Sequence, residues 1–254
     1  MARTDTSDPW FRRIPAEGCG LRLVCLPHAG GAATAYTGWA ARLPAGIEVL
    51  AVQYPGRQNR VSEPAVESMT ELADAVTAAL VPYLDVPVVL FGHSMGSAVA
   101  YEVALRLERE AGPVLGGLLV SGRAAPHRAA PARSGALDDD SLLDSVRRLG
   151  GPDAQVYEHP ELREVLMPVL RADYRLLDGY RPAVPDVLLR APVTAYGGDR
   201  DPVCPVADLD TWAEVTEGTH RTRVFSGGHF YLREHEGTLV EHIARHLVPG
   251  ARAE

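Results

Sequence analysis

Apolar residues fall along this chain in two rhythms. Short, nearly continuous apolar runs, LRLVCL (21–26), IEVLAVQ (47–53), VPVVLF (86–91), LGGLLVSG (115–122) and PVTAYGG (192–198), read as buried strands, with RTRVFSGG (221–228) as a further one. Segments with helical spacing lie between them: TGWAARL (37–43), SMTELADAVTAALVPYL (68–84), residues 95–111, and a last amphipathic stretch from about Tyr231 to Leu247. Strands that alternate with helices need crossover connections, which predicts an α/β fold with a mostly parallel central sheet. Strands that are apolar throughout predict helices on both faces of that sheet.

The rhythm breaks between about 123 and 190. GRAAPHRAAPARSGALDDD is rich in Ala, Pro and Arg and reads as an excursion. DDDSLLDSVRRLGG then has Asp at its start, Arg near its end and Gly after it, the start and stop signals of a helix. PELREVLMPVLRADYRLLDGY has apolar positions at helical spacing, and Pro168 should kink or split it. The chain thus reads as one domain over 1–254, with a helical insertion over about 123–190 above the sheet's edge.

Bulk properties narrow the function. Of 254 residues, 46% are hydrophobic, enough for one large core, and no run of eighteen apolar residues suggests a membrane span. The start, MARTDTSDPWFRR, lacks the apolar stretch of a secretion signal, so the expected address is cytoplasmic. A net charge of -8 argues against broad nucleic-acid binding. All 25 basic residues are arginine, which excludes a Ser–Lys dyad, a Schiff base and a P-loop lysine. Cys19, Cys25 and Cys204 are scattered and odd in number, so neither a disulfide framework nor a metal site is expected.

One stretch carries chemistry. In VVLFGHSMGSAVAYEVALRL (88–107) a strand runs into a helix through Gly-His-Ser-Met-Gly with no loop between. G-x-S-x-G in that setting is a nucleophile elbow, which lifts Ser94 above the carboxyl end of the sheet. A serine needs a base, and His229 in FSGGHFYL follows a strand and precedes the last helix. His28 and His93 do not follow an acid in chain order, and the other six histidines read as solvated. An orienting carboxylate is offered by AYGGDRDPVCP, where Asp201 has room to turn towards His229 and Asp199 fits a turn-capping role. The order Ser94, Asp201, His229 is that of α/β-hydrolases. An oxyanion hole would take one N–H from Met95, next after the nucleophile, and one from Ala29 in LPHAGG (26–31).

Together LPHAGG, VQYPGR, FGHSMG, GGDRDP and GGHFYL resemble the type II thioesterases of polyketide and nonribosomal peptide assembly lines, over nearly the whole chain. The resemblance implies an α/β-hydrolase with a helical lid. Such an enzyme removes acyl groups from the phosphopantetheine arm of an acyl or peptidyl carrier protein. It implies Ser94, Asp201 and His229 as triad, Ala29 and Met95 as oxyanion donors, and no cofactor or metal. His28, Leu142, Leu143, Val146, Leu166 and Leu170 are expected on the substrate side, the leucines and valine as the lid's apolar face. An acidic carrier would need local arginines, and Arg57, Arg60, Arg123, Arg128 and Arg133 are the candidates. Other functions compatible with these residues are a general carboxylesterase or lipase with the same triad, and a carrier-binding module without activity.

Overall fold

Each central strand carries side chains for two cores at once. Along β4 (Val88–His93), Val88 and Leu90 enter one apolar cluster, while Val89 and Phe91 enter another on the opposite face. β2 (Leu21–Leu26) and β3 (Ile47–Val52) divide their residues in the same way. This is why these runs show no period of two: both faces are covered. In the computed structural model, which describes residues 8–129, 136–151, 154–182 and 187–247, the sheet is completed by β1 (Phe11–Ile14), β5 (Leu115–Ser121), β6 (Val193–Gly198) and β7 (His220–Phe225). The spatial order is β1-β3-β2-β4-β5-β6-β7; β1 is antiparallel to β3 and every other pair is parallel.

That order places the site. From β2 the chain moves outward to β3, then returns to lay β4 on β2's other side. The crevice between the carboxyl ends of β2 and β4 is therefore the switch point where open α/β sheets bind ligands. Helices α1 (Met69–Leu80) and α2 (Met95–Glu110) cover one face. On the other face lie Tyr36, Trp39, α5 (Tyr231–Glu234) and α6 (Glu236–Leu247).

Between β5 and β6 the chain forms α3 (Asp139–Arg148), a 310 segment (Ala154–Glu158) and α4 (Pro160–Gly179). Asp138 caps α3 by accepting from Ser141 N at 2.9 Å, and Arg147 and Arg148 end it, as its sequence signals require. Pro168 does not split α4. It lies on the exposed side, where solvent can satisfy the carbonyl its missing N–H leaves free, while Met167, Val169 and Leu170 beside it are buried. Leu142, Leu143, Tyr157, Met167, Leu170 and Tyr174 form a third apolar cluster, with Ala29 of the loop after β2 packed against it.

Other expectations need correction. Residues 37–43 are not one helix; two 310 turns, Ala33–Tyr36 and Trp39–Arg42, flank Gly38. The helix expected over 68–84 ends at Leu80 and tightens into a 310 turn where Pro82 removes a donor. The last helix breaks at His235, whose Nε2 lies 2.8 Å from Ser226 O. Strand β1 carries no apolar run, since it is an edge whose Arg13 reaches the buried Glu48. Among the described residues no helix is long and apolar enough to cross a membrane.

Candidate active site

β4 ends on His93 and α2 begins on Met95, so the whole turn is one residue. Ser94 takes φ 55°, ψ −115°, a conformation that costs a non-glycine residue roughly 1–3 kcal/mol. Two glycines make it possible. A Cβ on Gly92 would lie 2.1 Å from Gly96 O, and one on Gly96 would lie 2.1 Å from Leu26 O. The second contact also shows how tightly the end of β2 approaches the elbow. Ser94 N donates to Ser121 O at 2.8 Å, and Ser121 N donates to Ser97 Oγ at 3.0 Å, which stitches the turn to β5.

Asp201 and His229, the candidate acid and base, follow the ends of β6 and β7. His229 Nδ1 and Asp201 Oδ2 are 2.7 Å apart, and both residues are buried. Asp201 Oδ1 accepts from Val203 N at 2.9 Å and from Cys204 N at 3.2 Å, so the carboxylate cannot swing away. With an ionised carboxylate on Nδ1, the imidazole carries its proton there and offers Nε2 as acceptor. Asp199 serves the backbone instead: its Oδ1 accepts from Gly227 N at 2.8 Å, pinning the histidine loop to the acid loop. The imidazole lies on the elbow's neighbour, since a Cβ on Gly122 would stand 3.2 Å from His229 Cε1. Among the described residues no hydrogen bond joins Ser94 Oγ to His229. In unliganded hydrolases that bond is commonly long and tightens with substrate.

The loop after β2 faces the elbow. Gly30 N donates to Asp173 Oδ2 at 2.7 Å and Gly31 N to His28 O at 2.9 Å. Among the described residues the Ala29 N–H has no such acceptor. Met95 N–H opens α2 and has no partner within its own helix. Two backbone donors are therefore unspent on either side of Ser94.

Three histidine rings gather here. His93 lies 5.0 Å from His229 and 5.8 Å from His28, centroid to centroid, and Phe230 touches all three. Desolvation, ahead of nearby His229, Arg57 and Arg233, lowers the His28 ring to about 3. Burial, ahead of His229 and His28, pushes His93 well down. His93 Nδ1 meets Ser121 Oγ at 3.0 Å, Ser121 Oγ meets Tyr231 OH at 2.7 Å, and Nε2 has no partner. Both rings stay neutral in the fold but take protons near pH 6.5 once unfolded. Their shifts therefore leave stability untouched above pH 6.5 and erode it as pH falls towards about 3. Each such proton is worth about 1.4 kcal/mol per pH unit, so the two rings together should lower Tm by roughly 5–11 °C per unit well below pH 6.5. Thermal melts from pH 7.5 to 5 check this; a flat Tm would contradict it, and His93→Asn should make the fall shallower.

A cavity of roughly 520 Å³ opens beside the loop, lined among others by His28, Gly31, Tyr157, Leu166, Phe230 and Arg233. Of the residues expected on the substrate side, His28 and Leu166 face it. Leu142, Leu143, Val146 and Leu170 instead pack in the apolar cluster of α3 and α4. Two docking candidates are overturned. Arg57 is buried against Asp173, and Arg60 is buried, donating to Glu63 Oε1 at 2.8 Å with its guanidinium over Trp10. Neither offers a free surface charge. Arg128 is exposed and paired with Glu214, the Arg123 guanidinium is desolvated, and Arg133 lies outside the described residues. The six histidines expected in solvent are mixed: His159 and His246 are exposed, but His127 pairs with Glu214 and His242 with Tyr196 OH. Sequence reasoning missed Asp173; its signal was an acid at a position where helical spacing from Leu170 and Leu177 calls for an apolar residue.

Comparison with known proteins shows the family and the fold. A family model described as "Thioesterase domain" matches residues 21–248. The "Probable cadicidin biosynthesis thioesterase" of Streptomyces griseus is 42% identical over 251 residues, 98% of this chain and 69% of that protein. "Thioesterase PikA5" of Streptomyces venezuelae is 42% identical over 241 residues, 94% of this chain and 85% of that one. The solved structure of the type II thioesterase BorB from the borrelidin biosynthetic cluster matches with a TM-score of 0.87 and 42% identity, over 96% of this chain and all of that one.

Proposed function

The chain belongs to the thioesterase family, with the α/β-hydrolase fold, and from that premise we propose that Ser94, His229 and Asp201 hydrolyse acyl thioesters carried on the phosphopantetheine arm of an acyl or peptidyl carrier protein. It is a type II thioesterase of the kind found with polyketide and nonribosomal peptide synthesis. In this reading His229 Nε2 takes the proton of Ser94 as Oγ attacks the thioester carbonyl. The C=O electrons move onto oxygen, which rests on the N–H groups of Ala29 and Met95. They return as the C–S bond breaks, and His229 hands its proton to the departing thiolate. A water molecule, deprotonated by His229, attacks the acyl-serine ester; the same donors hold the second oxyanion, and Ser94 leaves with the proton. A thiol with a pKa near 8.5 departs easily, so no metal is needed to activate it. Helices α3 and α4 act as a lid over residues of a single domain.

What supports the reading most is the Asp201–His229 bond of 2.7 Å beside a serine held in a strained one-residue turn. The test is intact-protein mass spectrometry of a carrier loaded with an acyl-phosphopantetheine, incubated with the enzyme. The carrier should lose the acyl mass and regain its free thiol faster than the same acyl group leaves an oxygen ester. A carrier that keeps its acyl group while the oxygen ester is cleaved would favour a carboxylesterase.

A further inference from the structure

Resting on the reading just given, we propose that Asp173 of the lid is a positioning residue for the oxyanion loop, with Arg57 as its counter-ion. Asp173 is 1% exposed and Arg57 4%. Arg57 Nη2 donates to Asp173 Oδ1 and Nη1 to Oδ2, each at 2.8 Å, a two-pronged pairing that fixes the carboxylate plane. Oδ2 also receives the Gly30 N–H at 2.7 Å, and Arg57 Nη1 donates to Gly31 O at 3.0 Å. One ion pair thus grips the Ala29–Gly30 peptide by its N–H and the Gly31–Ala32 peptide by its carbonyl.

The loop needs such a grip. Gly30 and Gly31 have no side chains to restrain them, and Gly30 sits at φ 73°. A Cβ on Gly30 would come within 3.0 Å of Leu170 Cδ1 and 3.3 Å of Tyr157 OH, so a side chain there would have to displace both as well as adopt a strained φ. The Gly30 N–H is therefore directed by Asp173, and the adjoining peptide that carries the Ala29 N–H stays aimed at the elbow. Charge also matters. A lone carboxylate beside a developing oxyanion would oppose it, and Arg57 cancels that charge in place. Stability alone explains the pair poorly, because the desolvation of two buried charges offsets most of their attraction. Asp173 also stands on α4 where that helix passes from the lid cluster, at Leu170, to the sheet's core, at Leu176 and Leu177. The lid and the oxyanion donor consequently move as one body.

The test compares the full chain with Asp173→Asn and Arg57→Lys, using a short acyl-pantetheine thioester well below each Tm. Removing an oxyanion donor outright costs about 10²–10³ in kcat, so misaiming one through Asp173→Asn should cost about 10- to 100-fold, with KM changed by less than about threefold. Arg57→Lys keeps a cation and the Asp173–Gly30 bond but loses the two-pronged grip, so its kcat should fall by about three- to tenfold, again without a change in KM. The amide proton resonance of Gly30 should shift upfield in Asp173→Asn, as its charged acceptor is lost. An Asp173→Asn enzyme with lowered Tm but kcat within about twofold of the parent would overturn the proposal. If that variant does not fold, Arg57→Lys decides: lowered kcat at unchanged KM supports it, and lowered Tm at unchanged kcat overturns it. Ser94→Ala separates the two levels. Hydrolysis that survives Ser94→Ala would sink the triad and this proposal together, whereas its loss beside an unaffected Asp173→Asn would sink this proposal only.

Discussion

Ser94→Ala lowers kcat for an acyl-pantetheine thioester by on the order of 10⁴-fold or more, without a change in fold. Without Oγ no acyl-serine can form, and His229 is left to act only on a water that nothing holds against the thioester. What survives is the contribution of the oxyanion donors and of binding, about 10³-fold over water. The fold persists because alanine has the same Cβ as serine, so the turn at φ 55° gains no new clash. Steady-state kinetics together with fluorophosphonate labelling measure this: the parent is labelled at residue 94 and the variant is not. A variant retaining more than about 1% of the parental kcat would mean that another group carries the reaction.

Asp201→Asn has the second largest effect, a loss of about 10⁴-fold in kcat with KM little changed. The reason lies in which atoms Asp201 meets. Its Oδ1 accepts from the N–H groups of Val203 and Cys204, so the amide oxygen of asparagine is drawn to that side. The amide NH₂ then faces His229 Nδ1, which must become an acceptor. The ring proton moves to Nε2, where it blocks the removal of a proton from Ser94. Asp199→Asn is the matched control. Asp199 receives a single N–H, from Gly227, and an amide oxygen can replace it, so kcat should fall less than about tenfold. Equal losses at 199 and 201 would mean that the acid has been assigned to the wrong aspartate.

Most of the candidate site was legible because its signals are local. The elbow needs glycines two residues either side of Ser94; Gly92 is demanded by the turn's own backbone, at Gly96 O, and Gly96 by the close approach of Leu26 O at the end of β2, so the motif marks the turn wherever it occurs. The choice of Asp201 over Asp199 rested on loop length, and the two carboxylates do divide in that way, one to His229 and one to Gly227. Errors gathered where a side chain's partner lies far along the chain. Arg57 and Arg60 follow a Pro-Gly turn and look like surface charges. In the fold Arg57 meets Asp173, more than a hundred residues away, and both arginines are buried. The leucines of α3 and α4 carry the same ambiguity. Helical spacing puts Leu142, Leu143 and Val146 on the apolar face of one helix and Leu166 and Leu170 on that of another, but does not say whether those faces meet substrate or each other.

The amino-acid sequence by itself determined the parallel α/β layering, the strained serine turn and the strand ends on which Ser94, Asp201 and His229 follow one another. These depend on periodicity, on glycine sterics and on which residues end a strand, all of them properties of a few adjacent positions. Only the tertiary structure decided which carboxylate grips the loop after β2, which arginines are buried and which leucines face the cavity. Those outcomes depend on distances between segments separated by a hundred residues, and on water being excluded from between them, and neither is written in any short stretch of the chain.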